Sequence, residues 1–211
     1  MSEKKKLVPK RRFKEFENAD PWEQRKLGKI GFTYTGLSGK TKNDFGHGDG
    51  KYVTYMNVFT NPVASLSLTE SIEIDTSQNE IQHGDVFFTT SSETPEEVGM
   101  SSVWLGDESN VYLNSFCFGY RLSRKIDYYY LAFYLRSVRF RNNMSLLAQG
   151  ISRYNISKNK VMEIDVTLPD VNEQRIIGRY FRTLDNLITL HQRKLEKLQN
   201  IKKAYLNEMF I

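Results

Sequence analysis

The chain has 211 residues, a hydrophobic fraction of 39% and a formal net charge of +5, which fits one medium domain with an appendage and a packed core. The one cysteine, Cys117, excludes an internal disulfide and a cysteine-based zinc cluster. No stretch approaches the roughly 20 apolar residues that span a bilayer, and no apolar segment follows the basic start, so the composition predicts a cytoplasmic protein with neither a membrane span nor a secretory signal.

The first part of the chain is predicted to be a basic lead-in followed by a β-rich region. Residues 1–20 are polar and basic, with little that could pack, and residues 22–28 resemble a short helical turn ended by glycine. Residues 36–50 are rich in glycine and predict a long exposed loop. Runs of β-branched and aromatic residues predict strands at 51–58, 71–75, 85–90 and 111–122.

The region after residue 122 is predicted to combine one helix, one loop and one strand. Apolar residues near helical spacing predict a helix over residues 127–147. A basic loop over residues 152–160 and a strand over residues 161–168 follow. Pro169 ends the strand, because proline cannot donate to a sheet.

The last segment is the clearest element of the sequence. Residues 173–210 contain no proline and one glycine, and they predict a helix roughly 55 Å long. Ten positions spaced 4-3-4-3 form a seam, and eight of them are apolar, which is typical of a coiled coil. The seam consists of Ile177, Phe181, Leu184, Ile188, His191, Leu195, Leu198, Lys202, Tyr205 and Met209. Because the chain has no second long helix, the seam predicts self-association or another partner chain, and the alternative is a helix folded back onto its own domain.

Charge is segregated along the chain. Residues 70–110 contain ten acidic residues and no Lys or Arg, whereas residues 121–160 contain nine Lys and Arg and one acid, Asp127. Such segregation suits a protein with one face turned to a polyanion. The alternative is that folding interleaves the two segments so that their charges pair.

No constellation of an enzyme is present in the sequence. His47, His83 and His191 are scattered, so we expect no metal site and no catalytic residue. The glycine-rich run at residues 46–50 precedes a predicted strand, whereas a nucleotide-binding loop follows a strand and opens a helix. We therefore expect a hairpin or a nucleic-acid-facing loop there.

Several short sequence motifs, in this order along the chain, resemble those of one family, the specificity (S) subunits of Type I restriction-modification systems. Residues 8–16 (VPKRRFKEF) and 22–28 (WEQRKLG) resemble the opening of a recognition domain. Residues 84–92 (GDVFFTTSS) with Gly99 resemble its middle, and Gln149-Gly150 with residues 153–157 (RYNIS) resemble its end. The resemblance continues into the last helix at residues 164–169, 173–174, 184–185, 192–195, 197–203 and 209–210.

The resemblance implies a fold and a division of labour. The implied fold is α+β, a β-rich target-recognition domain with a few helices followed by one long C-terminal coiled-coil helix. The implied boundaries are a basic lead-in at 1–20, a DNA-binding target-recognition domain at 21–170 and a dimerisation or spacer helix at 171–211. A full S subunit carries two such units, so this chain is similar to a half-length form. Two of its copies would then read a split palindrome in double-stranded DNA.

The resemblance also implies partners. Type I modification subunits methylate adenine with S-adenosylmethionine and restriction subunits cleave, so the chain itself is expected to be non-catalytic and without a cofactor. The dimer seam is expected to comprise Ile177, Phe181, Leu184, Ile188, His191, Leu195, Leu198 and Tyr205.

Candidate DNA contacts are of two kinds. Cations that could neutralise phosphates position a protein on DNA, and amides and hydroxyls can reach base edges. The alternative for the cations is a solvated basic face, and the alternative for the amides and hydroxyls is the capping of loops. The phosphate candidates are Lys40, Lys42, Arg136, Arg139, Arg141, Arg153, Lys158 and Lys160, and the base-edge candidates are Asn43, His47, Ser91, Ser92 and Gln149.

Two other functions compete with DNA recognition. A coiled-coil scaffold that binds protein partners would have no DNA affinity at low salt. A methyltransferase or nuclease would bind S-adenosylmethionine or cleave DNA with a metal, and the motifs of either enzyme are missing. The basic segment at residues 121–160 and the ordered family phrases favour DNA recognition.

Overall fold

Twelve short strands and five α-helices build the part of the chain that the computed structural model describes, residues 7–210. The strands are β1 Glu23–Lys26, β2 Gly31–Thr35, β3 Phe45–Val53, β4 Val63–Ala64, β5 Thr69–Ile72, β6 Val86–Thr89, β7 Ser91–Ser92, β8 Ser101–Trp104, β9 Val111–Leu113, β10 Cys117–Leu122, β11 Tyr154–Asn155 and β12 Asp165–Leu168. The helices are α1 Tyr55–Thr60, α2 Tyr128–Tyr134, α3 Val138–Ser145, α4 Lys158–Met162 and α5 Val171–Met209. The α+β prediction with one long C-terminal helix is confirmed.

A five-stranded sheet is the centre of the domain, and its inner strands β6 and β8 are buried on both faces. Its order is β2-β10-β6-β8-β4, antiparallel except for the parallel pair of β4 and β8. Val86 and Phe88 of β6 face one hydrophobic cluster, and Phe87 between them faces the other. Because both faces are covered, β6 is a continuous apolar run rather than an alternating one.

A three-stranded sheet, in the order β5-β3-β9, covers part of the second face. The glycine-rich stretch predicted as a loop over residues 36–50 contains no strand as far as residue 44, but residues 45–50 belong to β3, which pairs with β5 through a bulge between Phe45 and Gly50. Gly48 has a φ of +90°, and a Cβ there would lie 2.6 Å from the backbone oxygen of Ile72. Glycine therefore allows the bulged strand to approach β5, and residues 46–50 form a distorted strand rather than a nucleotide-binding loop.

Two local predictions in the first half of the chain were wrong. Residues 22–28 contain strand β1, which pairs antiparallel with β12 across the whole domain, followed by a single 3-10 turn. Residues 51–58 change from strand to helix, because Thr54 caps α1 by accepting a hydrogen bond of 3.2 Å from the amide of Asn57.

The predicted helix over residues 127–147 is divided into α2 and α3. The Ser137 hydroxyl accepts a hydrogen bond of 3.4 Å from the amide of Phe140 and begins α3 as an N-cap. Farther on, helix α4 occupies part of the region predicted as a basic loop and strand, and strand β12 begins only at Asp165.

The lead-in packs more closely than its composition suggested. Arg12 donates hydrogen bonds of 2.8 and 2.6 Å to the Glu173 carboxylate of α5, and the two side chains are 6% and 1% exposed. The Trp22 indole N–H also reaches Glu173, at 3.3 Å, and the rings of Phe13 and Tyr180 meet edge to face at 5.6 Å. The described part of the lead-in is thus tied to the start of α5, whereas residues 1–6 lie outside the described residues.

Helix α5 has 39 residues and leaves the domain after its first turns. At its start Gly178 lies against α2, where a Cβ would be 2.6 Å from the Tyr130 amide nitrogen. Phe181 and Phe133 pack with their ring centroids 5.6 Å apart. Every residue from Arg179 to Phe210 is exposed, so most of the apolar seam has no cover within residues 7–210. No helix in this described range has the length and apolar character needed to cross a membrane.

Candidate nucleic-acid interface

The structure brings together four of the predicted contact residues from two distant segments. Strand β7 pairs antiparallel with β11, so Ser91 and Ser92 lie opposite Asn155 and Tyr154. The backbone of Gln149 makes a reciprocal pair of hydrogen bonds with Asn155, at 2.9 and 2.8 Å. Arg153 lies in the tight loop between them and donates to the Ser91 hydroxyl at 3.2 Å. We name this the β7–β11 end, consisting of Ser91, Ser92, Gln149 and Arg153.

The β7–β11 end borders a cleft of about 430 Å³. A separate cleft of about 710 Å³ lies near Arg121. Helix α1 supplies the other wall of the smaller cleft, where the rings of Tyr55 and Phe59 stack at 5.8 Å. The Tyr55 hydroxyl donates to the Ser91 backbone oxygen at 2.8 Å and fixes the wall to β7. Sequence reasoning missed this wall, because the composition of residues 51–58 predicts a strand where α1 begins.

Within the β7–β11 end the two serines have little freedom to reach a ligand. Both are buried, and the Ser92 hydroxyl lies 3.3 Å from a Glu97 carboxylate oxygen to which it donates. Gln149 and Arg153 are exposed. The groups that can reach outward from this end are therefore the Gln149 amide and the Arg153 guanidinium.

Arg136 is oriented towards the interior of the domain. Its guanidinium donates to the backbone oxygens of Val58, Phe59 and Asn61 at 2.8 to 3.0 Å, and to that of Ser101 at 2.8 Å. The first three are carbonyls at the end of α1, where a cation also complements the helix dipole. Burial lowers the pKa of Arg136 to about 10, so the side chain remains charged at neutral pH.

Arg141 has a similar inward orientation. It donates to the backbone oxygens of Glu96, Val98 and Gly99 at 2.6 to 2.7 Å, and burial lowers its pKa. Arg136 and Arg141 thus hold loops of the domain together, and we leave both out of the interface proposed below.

The second group of predicted contacts lies around the bulged strand β3. Lys42 and Asn43 are exposed, whereas the Lys40 ammonium lies 2.6 Å from an Asp75 carboxylate oxygen. His47 contacts the Asn43 backbone oxygen at 2.7 Å and the Glu73 carboxylate at 3.0 Å. The hydrogen bonds to Asn43 and then to Glu73 raise the pKa of His47 above its ordinary value.

The His47 contacts predict a pH-dependent stability. A histidine whose pKa is raised by folding stabilises the folded state most below its unfolded pKa of about 6.5, and this stabilisation is lost as the pH rises through the folded pKa. Replacement His47→Gln should therefore lower the melting temperature at about pH 5.5 and change it less at about pH 8.5. An equal loss at both pH values would contradict the assignment.

The remaining cations of residues 121–160 divide into paired and free groups. Arg121 forms an ion pair of 2.7 Å with the buried Asp85, and Arg124 lies 3.3 Å from Glu23. Arg121 of the basic segment therefore pairs with an acid of the acidic segment, as the alternative interpretation of the charge pattern expects. The other remaining cations of residues 121–160 form no ion pair with any residue of the described part of the chain; they are Lys125, Arg139, Arg153, Lys158 and Lys160.

Within the described residues no three His, Cys, Asp or Glu side chains lie close enough together to hold a metal ion. His83 lies 3.0 Å from Asp107, and His191 is exposed on α5. The buried thiol of Cys117 has a pKa raised to about 12 by desolvation, so it is not a nucleophile at neutral pH.

Comparison with solved structures shows the same fold. The S subunit of the Type I restriction-modification system from M. genitalium superposes with a TM-score of 0.58 at 15% identity, over 97% of this chain and 48% of that one. The HsdS subunit from Thermoanaerobacter tengcongensis superposes with a TM-score of 0.58 at 17% identity, over 90% of this chain and 44% of that one. The chain therefore spans about half the length of these structures.

Sequence comparison shows the family. The Type I restriction enzyme MjaVIII specificity subunit of Methanocaldococcus jannaschii is 29% identical over 85 residues, which are 40% of this chain and 20% of that protein. The family model described as the Type I restriction modification DNA specificity domain matches residues 19–200, from the end of the lead-in to well along α5. Because this match includes the domain and its exit helix, the chain belongs to the Type I restriction modification DNA specificity domain family.

Proposed function

We propose that this chain is the DNA-recognition subunit of a Type I restriction-modification complex and that it reads one half of a split target in double-stranded DNA. The observation that carries the proposal is the family match over residues 19–200. Four cations within 22 residues of one another in sequence supply the charge that DNA backbone binding requires: Arg139, Arg153 and Lys160 are exposed, and Lys158 is half-buried.

The proposed contacts separate into positioning and reading. Arg139, Lys158 and Lys160 neutralise phosphates and set the orientation of the domain. Gln149 and Arg153 at the β7–β11 end reach base edges in the major groove, where Gln pairs with adenine and Arg with guanine. Lys42, Asn43 and His47 form a second contact group beside β3.

The remaining parts of the proposal concern partners. The chain associates with itself through α5, which places two identical readers on an inverted repeat. It directs cytoplasmic modification subunits, which supply S-adenosylmethionine chemistry, and restriction subunits to that site. The chain itself performs no catalytic step.

The test is a salt titration of binding to duplex DNA by fluorescence anisotropy. The purified chain should bind weakly at low salt, and replacing Arg139, Arg153, Lys158 and Lys160 together with glutamine should reduce the slope of log affinity against log salt by about 3, because three of the four neutralise phosphates. The reason is that each lost phosphate contact releases about one counterion fewer.

The matched control removes the same charge from the exposed part of α5, at Arg193, Lys194, Lys197 and Lys203. This variant should keep the wild-type slope. An equal reduction in both variants would mean that net charge alone drives binding. No affinity at low salt would leave the exposed seam of α5 as the main binding surface and favour the protein-binding scaffold.

A further inference from the structure

Ile151 lies at the tip of the β7–β11 end with almost no cover. Its side chain is 95% exposed, which is the largest exposed fraction of any large apolar side chain in the described part of the chain. Single exposed apolar residues are common on protein surfaces, so the surroundings of Ile151 decide whether it has a role.

The loop that carries this isoleucine is closed and anchored to the domain, and we name residues 149–155 the tip loop. Its ends, Gln149 and Asn155, are joined by reciprocal backbone hydrogen bonds of 2.9 and 2.8 Å. Directly after it the amide of the buried Ile156 donates to the Thr90 backbone oxygen at 3.0 Å. A loop that is ordered in advance loses less conformational entropy when a ligand binds to it.

Within the tip loop the backbone turns tightly. Gly150 has a φ of +141°, and a Cβ there would lie 2.1 Å from the Arg153 backbone oxygen, an approach that only glycine allows. The Arg153 guanidinium also donates to the Ser91 hydroxyl of β7 at 3.2 Å. Ile151, which lies between Gly150 and Arg153 in the sequence, is therefore presented by a compact turn.

The residues that flank Ile151 are the two proposed base readers. Gln149 and Arg153 each lie two positions from it, so their Cα atoms are at most about 7 Å from that of Ile151. Successive base pairs of a duplex are about 3.4 Å apart along the helix axis. Side chains at these three positions can therefore meet base pairs that lie within about two steps of one another.

The charge around the tip loop favours a nucleic acid as the ligand. Residues 128–162 include the tip loop and six Lys and Arg, and they contain no acidic residue. Glu93 and Glu97 line the cleft of about 430 Å³ together with Arg153, and Ile151 lies outside that cleft. An exposed apolar side chain within such a basic stretch suits the groove of a duplex, because the phosphates on either side of the groove attract the cations.

We propose that Ile151 is a specificity-determining residue that contacts the C5-methyl group of a thymine in the major groove, beside the base pairs read by Gln149 and Arg153. Thymine presents a carbonyl oxygen and this methyl group in that groove, and the methyl group distinguishes it from cytosine, adenine and guanine. The isoleucine side chain has neither a donor nor an acceptor, so the methyl group is the feature that it recognises. The inference rests on the proposed function and adds one residue and one base to it.

The first test compares a DNA duplex with its deoxyuridine copy. The duplex is the target that the unchanged chain selects from a randomised library, and the copy carries deoxyuridine in place of every thymine, which removes the methyl groups and keeps the base pairing. In fluorescence anisotropy the unchanged chain should bind the copy about fourfold more weakly for each methyl contact, the effect of burying one such group. A selected target without thymine, or equal affinity for the two duplexes, would overturn the proposal.

The variant Ile151→Ala should lose this discrimination and bind the two duplexes nearly equally. Its slope of log affinity against log salt should equal that of the unchanged chain, because no phosphate contact is removed. The matched control is Leu146→Ala, since Leu146 is 82% exposed, lies in the same acid-free stretch and falls outside the tip loop. Leu146→Ala should discriminate as the unchanged chain does. If Ile151→Ala discriminated equally well, the proposal would be wrong.

Replacing the thymines one at a time locates the contact. One position in each half of the target should account for the loss of affinity, and the effect of that position should vanish in Ile151→Ala. A similar loss at every thymine would instead report a change of DNA shape, and it would overturn the proposed contact.

This contact and the proposed function can fail separately. A library from which the unchanged chain selects no sequence would remove both. A selected target that is bound with the expected salt dependence, and whose methyl groups have no effect that depends on Ile151, would remove the contact and retain DNA recognition.

Discussion

Replacing Leu195 by glutamate should convert the proposed dimer of this chain into monomers. Leu195 lies in the middle of the seam and is 57% exposed in the single chain, so its side chain is available to a partner helix. Losing a buried leucine costs about 2 to 5 kcal/mol, and the substitution occurs twice in a dimer. The dissociation constant should therefore rise by roughly a thousandfold or more, measured by light scattering over a range of concentrations.

The matched control for this prediction is Leu190→Glu. Leu190 lies on the same exposed stretch of α5, is 62% exposed and falls outside the seam. The Leu190→Glu variant should have the same dissociation constant as the unchanged chain. Circular dichroism should show the same folded domain for both variants. A Leu195→Glu variant that keeps its mass in solution would contradict the seam.

Replacing Arg136 by alanine should destabilise the domain by about 3 to 5 kcal/mol. The substitution removes a cation that satisfies four backbone oxygens at 3.0 Å or less, and it leaves buried acceptors without a donor at roughly 1 to 3 kcal/mol for each one that water cannot reach. Urea unfolding followed by circular dichroism measures the loss.

Arg139→Ala provides the comparison for Arg136, since Arg139 is three residues away, exposed and without an ion pair among residues 7–210. Its free energy of unfolding should change by less than about 0.5 kcal/mol, as is usual for surface positions. Its DNA affinity should nevertheless fall. If Arg136→Ala were as stable as Arg139→Ala, the structural assignment of Arg136 would be wrong.

The features predictable from the sequence were those with a long or uniform pattern. The seam of α5 extends over more than four heptads, and β6 begins with three consecutive apolar residues, Val86 to Phe88, so each indicates its element without knowledge of the rest of the fold. The predicted seam is found on one continuous helix, whose exposed face fits a second chain better than a helix folded onto its own domain.

The features that the sequence did not predict depend on distant or single contacts. Strand β1 exists because β12 lies beside it, about 140 residues later, and no local pattern in residues 22–28 records that pairing. The division between α2 and α3 depends on one N-cap, Ser137, within an otherwise helical composition. Tertiary pairing and capping therefore override local propensity at these places.

The candidate interface was predictable as a region but not residue by residue. A basic stretch indicates available charge, but it does not distinguish a guanidinium that binds phosphate from one that holds backbone carbonyls inside the domain. Arg136 and Arg141 are of the second kind, and Arg153 nearby is exposed. The α1 wall of Tyr55 and Phe59 joins the β7–β11 end only through the tertiary fold.

The proposed function requires this chain to recognise a specific DNA sequence as a pair of identical readers. Selection of bound duplexes from a randomised library by the purified chain at low salt tests it, with the bound pool sequenced after several rounds. We expect enrichment of one short sequence in two inverted copies at a fixed spacing. A bound pool with no enriched sequence, or with single copies at no fixed spacing, would contradict it.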